Sequence, residues 1–199
     1  NDIGCSHYTI GFDTACNTAI ECIDRLRDTM QSHERCSIVE VMGRRAGFLA
    51  LYVGISVGAT AVLIPERELN FEHDIVEKIR RARLAGTTHY MVVVAEGAGN
   101  TMDISRQIHE EVGIDPRVTV LGHIQRGGAP SARDRETASR MGYEAVKALS
   151  ENRGNCVVAT QEGHMVVLGM EEALQMTKKL DMDRYQILEA LTNNCGTLR

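Results

Sequence analysis

Residues Arg117 to Arg135 read RVTVLGHIQRGGAPSARDR. An apolar run from Val118 to Leu121 is followed by an imidazole at His123, a guanidinium at Arg126 and two glycines, Gly127 and Gly128; Pro130 and Ser131 then open a helical pattern. The run reads as a buried strand. The glycines let the main chain approach a ligand where a Cβ would interfere. Strand, glycine turn and helix in succession is how parallel-sheet proteins hold phosphates, at the strand's carboxyl end and near the positive end of the helix. Arg126 can offer a bidentate fork, and His123 a donor that a phosphate helps keep protonated. Taken singly, Arg117, Arg126, Arg133 and Arg135 are ordinary solvated charges around a loop; taken together they favour an anion site.

The rest of the chain alternates helix and strand around this segment. Residues 14 to 31 place Ala15, Ala19, Ile23, Leu26 and Met30 at helical spacing, an amphipathic helix. Strands are predicted at 37–41 (SIVEV), 61–64, 90–95 (YMVVVA) and 117–121, with helices at about 48–57, 72–85, 102–112 and 131–150 between and after them. The small residues of the 48–57 helix imply close packing, and the 131–150 helix carries Ala138, Met141, Ala145 and Leu149 on one face. Uninterrupted apolar strands separated by helices argue for a doubly wound, mostly parallel α/β sheet with helices on both faces. After Gly154 come short strands at 156–160 and 165–168 and helices at 170–179 and 183–193. With no flexible linker and no repeat, residues 1–199 are expected to form one unit: a motif-bearing sheet domain over 1–150, and C-terminal strands and helices over 151–199 packing back as a helical tail.

Composition narrows the function classes. The 199 residues are 43% hydrophobic and 25% charged with 3 prolines, enough to bury a core, and no apolar run is long enough to cross a bilayer. A net charge of −5 argues against general nucleic-acid binding, so any anion must be held by a local basic pocket. None of the six cysteines makes a CxxC pair or a metal-ligand spacing with histidine, so no metal site is expected and reduced thiols in the cytoplasm are the default.

Three strand ends carry ligand-capable residues: Met42, Gly43 and Arg44 after SIVEV, Glu96 and Gly97 after YMVVVA, and Gly122, His123 and Arg126 after VTVL. Strand ends on one edge of a parallel sheet converge. Cations with an imidazole suit a phosphate, and a lone carboxylate among them suits sugar hydroxyls, so a phosphorylated polyol is the expected ligand. On its own, Glu96 reads equally as a helix N-cap or as a carboxylate in an ion pair.

The segment Arg117 to Arg135 resembles the signature of the phosphofructokinase family: a basic residue well ahead of Gly-His, then Gln-Arg-Gly-Gly and an acid–arginine pair. Met42-Gly43-Arg44 with Ala46-Gly47, Ser32-His33-Glu34-Arg35, residues 9–14 (TIGFDT) and Ala95-Glu96-Gly97 are similar to that family in the same order and at nearly its spacing. The resemblance runs from residue 1 to about 150 and more loosely beyond. It implies transfer of a phosphoryl group to O1 of fructose 6-phosphate, a glycolytic step, in a homotetramer. It implies that Met42, Gly43, Arg44, Glu96, His123, Ile124, Gln125 and Arg126 line the sugar-phosphate site, and that Arg35 and Arg117 reach into a neighbouring subunit's site. Arg44 matches the residue that stabilises charge on the transferring group, in keeping with the electrostatic character of such catalysis. Asp2 matches an acid near the metal, equally readable as a frayed end.

Departures from the family carry expectations of their own. Its glycine-rich nucleotide turns and its Thr-Ile-Asp-Asn-Asp motif lie upstream, the last two residues of that motif matching Asn1 and Asp2, so the catalytic base is missing and this chain, either a fragment or a dedicated sugar-phosphate domain, is expected to have no kinase activity of its own. Magnesium with ATP, or pyrophosphate, would be bound mainly by that upstream half. In bacterial members an effector site between subunits uses cations matching Arg27, Ala85 and Thr87 and an acid matching Thr60. With Gly58 and Ala59 beside Thr60, only Arg27 keeps its charge here, which puts allosteric control by an anionic effector in doubt. The competing readings are a pyrophosphate-dependent enzyme, a non-catalytic sugar-phosphate-binding or regulatory module, and a generic nucleotide-binding α/β domain; against the last, no GxGxxG or GxxxxGK[ST] pattern is present.

Overall fold

The computed structural model describes residues 3–30 and 35–193. Asp2 and the Ser32–Glu34 part of one motif lie outside the described residues, as does Cys195. The chain divides into two compact units, residues 1–15 with 128–179 and residues 16–127 with 180–199. Helix α1 (Phe12–Asp28) begins in the first unit and continues in the second, where Cys16, Ala19 and Ile23 are its buried positions.

The second unit holds the parallel sheet. Its strands are β1 (Arg35–Val41), β2 (Ala61–Leu63), β3 (His89–Ala95) and β4 (Arg117–Val120), in the order β2-β3-β1-β4, all parallel. β2 and β3 are apolar almost throughout and buried on both faces, as a sheet covered on two sides requires. One face packs Ile38, Tyr90, Val92 and Val94 against Ile75, Ile79, Ile104 and Ile108. Those isoleucines come from a π-helical turn (Glu72–Val76), from α3 (Glu77–Leu84) and from α4 (Thr101–Val112). Helix α2 (Phe48–Ser56) buries Leu49, Ala50, Leu51 and Val53, and its Gly54 is obligatory because a Cβ there would lie 2.2 Å from Val62 Cγ2. The small residues in this helix do mark close packing.

β4 departs from expectation. Among the described residues it is an edge strand paired only with β1, so Arg117 and Val120 are exposed and Val118 and Thr119 half-buried; of the expected apolar run only Leu121 is buried. A four-residue run is the same in sequence whether one neighbour or two covers it.

The first unit contains α5 (Ala132–Ser150), the strands β5 (Cys156–Gln161) and β6 (His164–Gly169), and α6 (Met170–Gln175). β5 and β6 form an antiparallel hairpin, a separate two-stranded sheet, through a two-residue turn in which Glu162 (φ 50°) and Gly163 (φ 82°) are both left-handed. The segment before α1 is tied to β5: His7 N donates to Thr160 O (2.7 Å), Thr160 N to Ser6 Oγ (3.0 Å) and Tyr8 N to Thr160 Oγ1 (3.0 Å). α5 does not bury the face expected of it. Asp134, Thr137 and Ala148 are its buried positions, whereas Ala138 and Leu149 are exposed.

Helix α7 (Met182–Asn193) returns to the second unit and is fastened by polar contacts. Arg67 bonds Asp74 (2.7 Å) and the Tyr185 hydroxyl (2.8 Å), with its guanidinium over the Tyr185 ring. Burial pushes the Tyr185 hydroxyl up to about 12. For Asp74, burial is outweighed by bonds from His73, Arg67 and the Asn70 amide, which hold its carboxyl below the usual range. Lys78, with its side chain 3% exposed, meets Glu189 at 2.5 Å.

Candidate functional site

The carboxyl edge of the parallel sheet is where ligands are taken in such folds, at the point where successive crossovers leave in opposite directions. From β1 the chain crosses to β2 on one side, and from β3 it crosses to β4 on the other, so the switch point lies between β1 and β3. The strand ends are level there. Val41 pairs with Ala95 and Glu40 with Val120; Glu96 N donates to Val41 O (3.0 Å) and Leu121 N to Glu40 O (3.1 Å). Met42, Glu96 and the turn after β4 thus leave adjacent strands at one height.

The exit turn of β1 is held by its neighbours. Gln125 Oε1 accepts the Met42 amide (2.8 Å), and Glu96 Oε1 accepts the amides of Gly43 (3.2 Å) and Arg44 (2.5 Å). Arg44 has a left-handed backbone (φ 57°), uncommon for a residue with a Cβ. A Cβ on Gly97 would lie 2.4 Å from Arg44 O, so the β3 exit presses directly on this turn. Glu66 closes the far side of the turn by accepting the Gly47 amide at 2.9 Å. The Arg44 side chain is exposed.

After β4 comes a 3₁₀ turn, Gly122–Arg126, rather than a direct glycine loop into a helix. Residues three apart eclipse in such a turn, so His123 and Arg126 share one side of it, and both are exposed. Ile124 is 65% exposed. Gln125 is 2% exposed, and its Nε2 is a buried donor with no partner among the described residues. The last two arginines of the opening segment are committed elsewhere: Arg133 lies over the Tyr8 ring (4.2 Å) and Arg135 Nε donates to Pro130 O (2.8 Å). The start of α5 is capped by Ser131, whose Oγ accepts the Asp134 amide.

The structure therefore brings Met42, Gly43, Arg44, Glu96 and Gln125 together and sets His123, Ile124 and Arg126 on the adjoining turn. It does not bring Arg35 or Arg117 to them. Both begin their strands, at the amino edge: at roughly 3.3 Å per residue Arg35 lies about 20 Å along β1 from Val41, and Arg117, level with Ser37, about 13 Å. Glu96 is neither a helix N-cap nor an ion-pair partner among the described residues: Asn100 caps α4, accepting the amides of Met102 and Asp103, and Glu96 receives main-chain donors from another strand's exit. Two further residues shape the Arg44 turn. Glu66 left no sign in the sequence, and Gly97 left only its place directly after a strand.

Arg27, Gly58, Ala59 and Thr60 lie together on a cavity of about 570 Å³. Its charges are engaged. The Arg27 guanidinium bonds Val57 O, Lys78 is paired with Glu189, and Thr60 is tied to β3 through Met91 N and O. Ala85 and Thr87 on the same wall are neutral, so the cavity has little net attraction for an anion. Among the described residues no three His, Cys, Asp or Glu side chains come together as a metal site. Among them, too, no helix is long and apolar enough to cross a membrane.

Residues 1–149 match the profile of a family described as Phosphofructokinase. The ATP-dependent 6-phosphofructokinases of Bacillus cytotoxicus and Bacillus thuringiensis are each 47% identical over 192 residues, covering 96% of this chain and 60% of theirs. The chain thus spans about three-fifths of the length of these curated relatives. Among solved structures, phosphofructokinase from Saccharomyces cerevisiae superposes with a TM-score of 0.84 at 32% identity, over 97% of this chain and 26% of that one. A pyrophosphate-dependent phosphofructokinase from Marinobacter aquaeolei shares the fold, with a TM-score of 0.72 at 20% identity over 92% of this chain and 54% of that one.

Proposed function

Because this chain belongs to the phosphofructokinase family, we propose that the carboxyl edge of its parallel sheet is the fructose 6-phosphate site of an enzyme that phosphorylates that sugar in glycolysis. The observation that carries this reading is the level convergence of three strand ends bearing Arg44, Glu96 and the His123–Arg126 pair. Exposed cations and an imidazole around one crevice meet a phosphate dianion, and the flanking carboxylate accepts hydroxyl donors. In phosphoryl transfer the protein's contribution is chiefly positioning and charge stabilisation, and Arg44, launched beside the switch point, is placed for the second.

ATP is the proposed donor, on the strength of the relatives at 47% identity named for it. Arg35 and Arg117 enter the reading only as contributions to a second copy's site, which makes the active form a homo-oligomer, a tetramer in the family pattern. Regulation through the Arg27–Thr60 cavity would have to use a ligand with little negative charge.

The test is calorimetry of fructose 6-phosphate binding, on this chain alone and joined to the upstream portion of a relative, with Arg126→Ala as control. Binding that weakens about tenfold or more on loss of one charge-assisted contact is expected. Absence of binding by the joined protein, or binding indifferent to Arg126, would refute the assignment.

A further inference from the structure

The carboxylate of Glu96 is used in a way that its place beside a sugar phosphate does not require. Three successive main-chain donors at the exit of β1, the amides of Met42, Gly43 and Arg44, are all bonded by side chains from the two flanking strand ends. Gln125 takes the first and Glu96 the other two. Consecutive amides beside a left-handed residue form a concavity for one anionic acceptor, and here the chain fills it with its own carboxylate. Arg44 sits in that left-handed conformation despite its Cβ, and the main chain of Gly97, the residue after Glu96, closes on it from the β3 side. Both restraints on Arg44 thus come from one dipeptide at the end of β3.

We infer that Glu96 is a positioning residue acting through Arg44: it fixes the backbone from which the guanidinium is launched, and so sets where that charge meets the substrate's phosphate. The role rests on the function proposed above, with Arg44 facing an anionic ligand. A shift of the launching backbone by about an ångström is carried to the end of a long side chain, and misplacement on that scale is costly to binding and catalysis alike. The requirement is for an acceptor oxygen at this spot rather than for negative charge. A glutamine, which keeps Oε1, should therefore preserve the arrangement, and an alanine should not.

Wild type, Glu96→Gln, Glu96→Ala, Arg44→Ala and the Glu96→Ala/Arg44→Ala double variant separate the possibilities. By amide hydrogen exchange, Gly43 and Arg44 should exchange at least about tenfold faster in Glu96→Ala and near the wild-type rate in Glu96→Gln. By NMR titration with fructose 6-phosphate, with each variant carried in the chain joined to the upstream portion of a relative, Glu96→Ala should bind about tenfold more weakly than wild type. In the Arg44→Ala background, loss of Glu96 should cost clearly less than it does in wild type, because the part of its effect that passes through Arg44 is already gone. Fully additive losses in the double variant would show that none of the effect of Glu96 passes through Arg44 and would overturn the inference, as would unchanged exchange at Arg44 in Glu96→Ala. Absence of titration by the joined wild-type protein would sink the proposed function instead, and the exchange rates would still decide whether Glu96 holds the turn.

Discussion

Replacing Asp134 by alanine should loosen the first unit more than any other single truncation of a side chain within it. The carboxylate is 4% exposed. It accepts the Tyr8 hydroxyl (2.5 Å), the Gly11 amide (2.8 Å), the Thr14 amide (2.8 Å) and the Thr14 hydroxyl. These donors lie 120 or more residues away in sequence, so Asp134 joins α5 to the start of α1. Bonds to a charged acceptor are worth about 1.5–3 kcal/mol each when counted singly, but donors sharing one carboxylate do not add. Removing one member of a buried charged network costs about 3–5 kcal/mol, and that is the loss expected for Asp134→Ala. Set against a total of about 5–15 kcal/mol for a folded domain, it should be plain in a denaturant titration and concentrated, by hydrogen exchange, at residues 11–14. Asp134→Asn, which keeps the shape and one oxygen, should lose about half as much. The pH dependence follows from the same contacts. Burial alone would raise the carboxyl, but bonds from Thr14, Tyr8 and the amides hold it below its ordinary value of 3.8. A group depressed in the folded state contributes its stability fully above the unfolded value and loses it as the pH falls through the folded one. Wild type should therefore weaken on acidification below about pH 4, and Asp134→Asn should show a shallower acid slope. A loss under about 1 kcal/mol in Asp134→Ala, or an unchanged slope in Asp134→Asn, would refute the reasoning.

Other outcomes are expected from single contacts. Gly97→Ala places a Cβ 2.4 Å from Arg44 O, so sugar-phosphate affinity by NMR titration should drop about tenfold; unchanged affinity would show that this approach does not set the turn. Glu189→Ala strands the Lys78 ammonium, whose side chain is 3% exposed, and should cost about 2–4 kcal/mol in denaturant unfolding. Adding Lys78→Met to Glu189→Ala should recover part of that loss. Burial raises the Cys36 thiol to about 12, and Cys5 and Cys16 are buried too, so maleimide labelling read by peptide mass should modify Cys22 and Cys156 first among the five described cysteines.

Much of the fold was legible because parallel strands buried on both faces cannot alternate. YMVVVA and SIVEV stand out against any helical period, and β1 and β3 lie where those runs fall. What stayed hidden has physical causes. The edge position of β4 depends on which strands flank it, not on its own four residues. The inner face of α5 was misplaced because Asp134 and Thr137 are polar yet buried, and periodicity assigns polar residues outward unless a distant donor is known in advance. The β5–β6 hairpin turns on Glu162 and Gly163, with a glutamate in a left-handed position where asparagine or aspartate is the usual signal. The candidate site divides the same way. Its charged members follow strand ends and could be read from that placement, but what Glu96 and Gln125 grip is main chain, and an amide has no letter of its own in a sequence. Main-chain contacts leave a trace only where they forbid a Cβ. Around Arg44 those positions are Gly43, where a Cβ would lie 2.3 Å from Ala46 O, and Gly97, where it would meet Arg44 O. A glycine close behind each of two neighbouring strand ends is thus the mark in a sequence that separates a braced turn from a loose loop.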